Sequence, residues 1–135
     1  MRTLFYAVLL FLPPLLAAQG QPQKLSPELR AQLLREASAL EGQAAAADPK
    51  DAELYMRLGY TYSRLEQADD AQRAFESAVR INPKKDAAYY MLGLIYEKKG
   101  LKAQALAAWN SCLQVTADPR MKDTAQKHIH HLSRP

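Results

Sequence analysis

An all-α stack of antiparallel helix pairs is the fold class this sequence predicts, and three observations carry it. A stretch of 34 residues, beginning at Ala52, recurs position for position from Asp86 onward. Within each copy the large and small apolar residues fall at i, i+3, i+4 and i+7, which is one face of an α-helix. Gly59 and Gly93 lie inside these helical patterns at equivalent places. Glycine there costs about 1 kcal/mol relative to alanine, so a neighbouring helix must come too close for a side chain.

In the first copy Tyr55, Leu58, Gly59, Tyr62, Ala71, Phe75, Ala78 and Pro83 stand in series. In the second, Tyr89, Leu92, Gly93, Tyr96, Ala105, Trp109 and Cys112 occupy the first seven of those places. Tyr55 to Tyr62 forms the apolar stripe of one helix, and Ala68, Ala71, Phe75 and Ala78 that of a second, so each copy reads as a helical hairpin with small residues at the crossing. The order of large residue, Leu-Gly, Tyr, Ala, aromatic, small residue and closing Pro, at this period, resembles the tetratricopeptide repeat family. The resemblance implies a right-handed α-solenoid of two full repeats, at about residues 52–85 and 86–119, with a capping helix on either side.

Taken in order, residues 1–18 read as an export signal. Arg2 gives a positive start, Leu4 to Leu12 is apolar, Pro13-Pro14 interrupts it, and Leu15-Leu16-Ala17-Ala18 ends in small residues suited to cleavage after Ala18 or Gly20. The apolar run falls short of the roughly 20 residues a bilayer span takes, and no Cys follows it to carry a lipid. Residues 19–26 are Gln-rich and read as a flexible leader. Ser26 then offers an N-cap and Pro27 a first helical position, for a helix to about Ala47 with Leu29, Leu33, Leu34, Ala37, Leu40 and Ala44 on its apolar side. Ala37 and Ala44 match the small places of a repeat's second helix, but Glu41 stands where the aromatic belongs. This element is expected to be a degenerate half-repeat that caps the N-terminal end.

The repeat helices are expected near 51–65, 68–81, 86–99 and 102–116. Asn82-Pro83 and Asp48-Pro49 close the helices before them, since the residue preceding Pro leaves the α region, and Gly100 closes the third repeat helix. In the second copy Ala117 takes the place of the closing Pro, and Pro119 comes two residues later. A last helix, 119–132, carries Met121, Ala125, Ile129 and Leu132 on one side and polar residues on the others, as the end of a solenoid requires.

With 135 residues, 48% of them hydrophobic, the chain fits one small domain. Its net charge of +4 is unevenly spread: residues 84–135 hold 9 basic and 4 acidic residues, and residues 19–83 hold 8 and 10. The basic residues are scattered and form no nucleic-acid motif, so no nucleic acid is expected as partner. Either an anionic partner near the C-terminal half or an ordinary solvated surface accounts for the excess. Cys112, the single cysteine, cannot form an intramolecular disulfide. It occupies the small place matched by Ala78 and is read as core.

The resemblance implies that ligand contacts fall at the second, fifth, ninth, twelfth and thirteenth places of each repeat. These are Glu53, Met56, Tyr60, Ser63 and Arg64, then Ala87, Tyr90, Leu94, Glu97 and Lys98. The wall so formed is apolar and aromatic in its middle with charge at one rim, which suits a peptide or protein with apolar anchors. Packing of Tyr60, Tyr90 and Leu94 against the terminal helix, or against a second copy of the chain, is the alternative. Relatives that grip the C-terminal carboxylate of heat-shock chaperones carry Lys and Asn at the fifth and ninth places. Met56, Tyr60, Tyr90 and Leu94 stand there instead, so that activity is not expected.

His128 and His131 share a helix face at i, i+3, but two nitrogens make a thin metal site, and a solvated or partly packed helix surface is the expectation. No phosphate loop, nucleophile elbow or catalytic arrangement is found, so no enzyme, cofactor or metal is expected. Asp69 and Asp70 read as first-turn acids set against the helix dipole. The sequence therefore reads as an exported, bacterial periplasmic protein, without a membrane span once its signal is removed. It would serve as an interaction scaffold or adaptor of the cell envelope, binding through its concave groove and assisting assembly of an envelope complex. The alternative is a structural homo-oligomer with no separate ligand.

Overall fold

The computed structural model describes residues 24–48 and 50–135. The export-signal reading of residues 1–18, most of the leader and Pro49 lie outside the described residues. Six helices make up the described chain: α1 (Pro27–Ala46), α2 (Ala52–Arg64), α3 (Ala68–Ile81), α4 (Asp86–Lys98), α5 (Lys102–Val115) and α6 (Pro119–Ser133). No strand is present among the described residues. The packing is sequential, α1 on α2, α2 on α3, α3 on α4, α4 on α5 and α5 on α6, as in an all-α repeat solenoid.

Local chemistry sets the helix ends. The Ser26 hydroxyl accepts from the Leu29 N–H at 3.2 Å, the Asp51 carboxylate from Glu53 at 2.8 Å and the Asp118 carboxylate from Arg120 at 2.8 Å, each satisfying a donor that the first turn leaves free. Lys50 Nζ donates to the carbonyls of Ala44 and Ala45 and so closes the C-terminal end of α1. Helices α2 and α4 end alike. Leu101 N–H reaches back to the Tyr96 carbonyl at 2.8 Å, and Gln67 N–H to that of Tyr62 at 3.0 Å. Both terminations pass through a residue with positive φ: Gly100 at 72°, and Glu66, a rare non-glycine there, at 61°.

The core is built at the hairpin crossings. A Cβ placed on Gly59 would stand 2.6 Å from the Phe75 ring, and one on Gly93 would stand 2.5 Å from the Trp109 indole. Both aromatic residues are 0% exposed. Each second helix thus lays its aromatic side chain directly on the backbone of the first helix, and the two glycines are there because that ring leaves no room. Around the second crossing Ala88, Leu92, Tyr96, Ala105, Ala108, Cys112 and Ala125 are buried. On the N-terminal side Ala37 and Leu40 of α1 meet Leu58 of α2 and Ala74 of α3.

Between neighbouring hairpins a second device recurs. The Tyr62 hydroxyl donates to the Glu41 carboxylate, and the Tyr96 hydroxyl donates to Glu76 Oε1 at 2.7 Å. Burial first, and then the bonded carboxylate, pushes the Tyr62 hydroxyl up to about 12 and raises that of Tyr96 as well. Glu41 therefore has a use of its own. Phe75 and Trp109 each need a preceding helix to lie on, and among the described residues none precedes α1, so an acid that reaches Tyr62 is accommodated in the aromatic place.

Replacing Gly59 by Leu forces a branched side chain into the space of the Phe75 ring and is expected to cost about 1–3 kcal/mol or more. Urea unfolding followed by circular dichroism measures it. In the same assay Phe75→Ala combined with Gly59→Leu should cost clearly less than the sum of the two single changes, because both act on one contact.

Candidate functional site

The solvent-facing side of α2 is a single stripe. Glu53, Arg57, Tyr60 and Arg64 are exposed at i, i+4, i+7 and i+11, while Ala52, Met56, Leu58, Gly59 and Thr61 are buried. On α4 the equivalent places, 34 residues on, hold Ala87, Met91, Leu94 and Lys98; the first three are half-buried and Lys98 is exposed. Tyr60 is 41% exposed and stands edge-on to the Phe75 ring, with centroids 5.3 Å apart. Helices α2 and α4 lie side by side. Lys85, at the start of α4, pairs with Glu53 at 2.6 Å, and the Tyr60 hydroxyl is raised by burial first and then by the charges of Glu53 and Asp86. Farther along, a cavity of about 160 Å³ opens between the end of α2 and α4, lined by Ser63, Glu66, Ala68, Ala71, Met91, Ile95 and Lys98.

The open wall thus uses the second, sixth, ninth and thirteenth places of each repeat. The second, ninth and thirteenth are among the places that the resemblance implies; at the fifth and twelfth, Met56 is buried and Ser63, Tyr90 and Glu97 are half-buried. Met56 is 3% exposed and packs in the core with Ala71, Phe75, Ala88 and Leu92, so it belongs to the scaffold. Ser63 donates its hydroxyl to the Gly59 carbonyl at 2.9 Å and lines the cavity. Tyr90 stands edge-on to Trp109, with centroids 5.2 Å apart at 88°. Glu97 Oε1 accepts from Trp109 Nε1 at 2.6 Å and lies 2.7 Å from His128 Nδ1. Tyr90 thus packs on α5 and Glu97 on α5 and α6, and both are half-buried, as Ala87, Met91 and Leu94 are. Arg57, exposed, and Met91, half-buried, stand at a place that the resemblance does not name. The signal for them was available, because 3.6-residue periodicity places i+4 and i+7 beside an exposed residue, and the sixth place falls on that line.

The stretch 128–131 resolves in the same way. His128 stacks on Trp109, with centroids 4.3 Å apart and 19° between the planes, and its Nδ1 meets Glu97. His131 is exposed. No group of three or more His, Cys, Asp or Glu side chains is placed to hold a metal ion among the described residues. Asp69 binds Lys99 at 2.7 Å, and that hydrogen bond lowers its carboxyl below the usual range. None of the described helices is long and apolar enough to cross a membrane.

The family model of the tetratricopeptide repeat matches residues 52–85 and again residues 86–119. The chain belongs to the tetratricopeptide repeat family. Its members are typically non-enzymatic scaffolds that mediate protein–protein interactions. A search of curated proteins finds no match. The two matched segments are the two hairpins α2–α3 and α4–α5, and the wall described above is made by the first helix of each.

Cys112 lies in the core of the second repeat, fully buried, and burial first, with Asp86 second, pushes its thiol up to about 11. The thiolate is the reactive form. At pH 8 the native chain should therefore react with Ellman's reagent at least about a hundredfold more slowly than the urea-unfolded chain, whose thiol titrates near the ordinary value of about 8.5. Rapid labelling in native buffer would show that the helix carrying Cys112 opens readily.

Proposed function

We propose that this protein is an exported interaction adaptor of the cell envelope that binds a segment of another protein along the wall formed by α2 and α4. The observation that carries the reading is the stripe that recurs on the two first helices, exposed along α2 and half-buried at three of its four places on α4. Tyr60 remains 41% exposed on α2, and α4 adds the half-buried apolar Met91 and Leu94 and a cavity lined in part by Met91. Exposed aromatic residues flanked by apolar side chains are the composition of binding hot spots. In a repeat solenoid such a stripe runs across successive units and takes an extended or helical segment. Export rests on the sequence pattern of residues 1–18, a basic start, an apolar run and small residues before Gln19. Assistance in assembling an envelope complex is the role that fits a small exported scaffold with this surface.

Capture from the envelope extract of the host tests the wall. The immobilised protein is compared with a Tyr60→Ala, Leu94→Ala variant of unchanged helicity. The wild type should retain a protein that the variant loses by about tenfold or more, as removal of a hot-spot pair predicts. Equal capture by both would move the binding surface away from α2 and α4.

A further inference from the structure

The acids and bases on this wall are not used alike. Glu53 is paired with Lys85 at 2.6 Å. Asp86 accepts from the Thr116 hydroxyl at 2.7 Å and from the Ala87 N–H at 2.7 Å, and Glu97 is shared between Trp109 and His128. Arg57, Arg64 and Lys98 are exposed, and none of them belongs to an ion pair among the described residues. Arg64 and Lys98 occupy equivalent last-turn places on α2 and α4, where the negative end of the helix dipole supports a cation. Arg57, in the body of α2, has no such role. Glu66, on the turn at the cavity, offsets one of the three charges. The wall therefore offers positive charge to whatever lies on it, although the N-terminal half of the chain carries an excess of acids.

From this charge pattern we infer that the partner segment is an acidic peptide with an apolar anchor. Its carboxylates would meet Arg57 and Arg64 on either side of Tyr60, and Lys98 at the lip of the cavity. A single aliphatic side chain would enter the cavity of about 160 Å³ against Met91, Ile95 and Ala71. Charge complementarity argues for the acidic residues, and the apolar floor argues for a polypeptide that supplies both. The inference rests on the reading of this wall as the binding surface, and it adds the chemistry of the partner.

A random-peptide display library panned against the purified protein tests it, alongside flotation with phosphatidylglycerol vesicles. Selected peptides should be enriched in Asp and Glu around a Leu, Ile, Met or Phe. An Arg57→Gln, Arg64→Gln, Lys98→Gln variant, its helicity unchanged, should bind the best of them about tenfold or more weakly, and added salt should shrink the difference. Selected peptides without acidic enrichment, or an affinity that the three substitutions leave alone, would overturn the inference. Should Tyr60→Ala, Leu94→Ala abolish binding while the triple variant keeps it, the wall stands as the binding surface and the acidic partner falls. Selection of no peptide at all overturns both readings. Vesicle binding through the same three cations, without acidic peptides, would replace the partner by an anionic membrane.

Discussion

The contact of an aromatic ring with a glycine backbone is the constraint on which the rest of this structure depends. Phe75 on Gly59 and Trp109 on Gly93 close the two hairpins at distances that no Cβ would allow. Each glycine costs its helix about 1 kcal/mol. Burying a large aromatic side chain returns more, about 1.5–3 kcal/mol, so the exchange favours the crossing. The same rings also organise the solvent side. Tyr60 stands edge-on to Phe75, and Tyr90 stands edge-on to Trp109. In the first repeat, core and wall are thus joined through the one ring of Phe75.

The two ends of the stack solve different problems. At the C-terminal end α6 covers the second hairpin, with Ala125 fully buried and His128 laid flat on the indole of Trp109. Glu97 ties the assembly together, because one of its oxygens takes the indole N–H and faces the imidazole. Without that carboxylate the indole donor would be buried and unpaired, a condition that costs about 1–3 kcal/mol. At the N-terminal end α1 packs on α2 through Leu33, Ala37, Leu40 and Ala44, while Glu41 and Glu36 reach Tyr62 and Thr61 across the interface. This end is held by one apolar stripe and two polar contacts rather than by a ring on a glycine.

Much of the fold was legible because its determinants are local or repeated. The 34-residue period, the internal glycines, the Ser26-Pro27 start and Pro119 at the head of the last helix all act within a few residues or recur at fixed spacing. The open wall was legible in part. Glu53, Tyr60, Arg64 and Lys98 could be named from the resemblance to the repeat family. The orientation of Met56, Tyr90 and Glu97 could not be read from the sequence, since it depends on partners in other helices, Ala88 and Leu92 for Met56, Trp109 for Tyr90, and Trp109 and His128 for Glu97. Such contacts span sequence separations that no local pattern encodes: Glu97 meets His128, and Tyr96 meets Glu76. The same holds for Glu41, an exception to the repeat pattern that makes sense only with Tyr62 opposite it.

Trp109 is the single tryptophan of the chain, so its fluorescence reports one ring-on-glycine crossing without interference. Acrylamide quenching of its emission across a urea titration tests the account most directly. The account predicts a blue-shifted emission nearly inaccessible to acrylamide in native buffer, lost in one transition that coincides with the loss of helicity. A red-shifted, freely quenched emission from a chain that is still fully helical would contradict it, because the helices would then exist without the crossing said to hold them together.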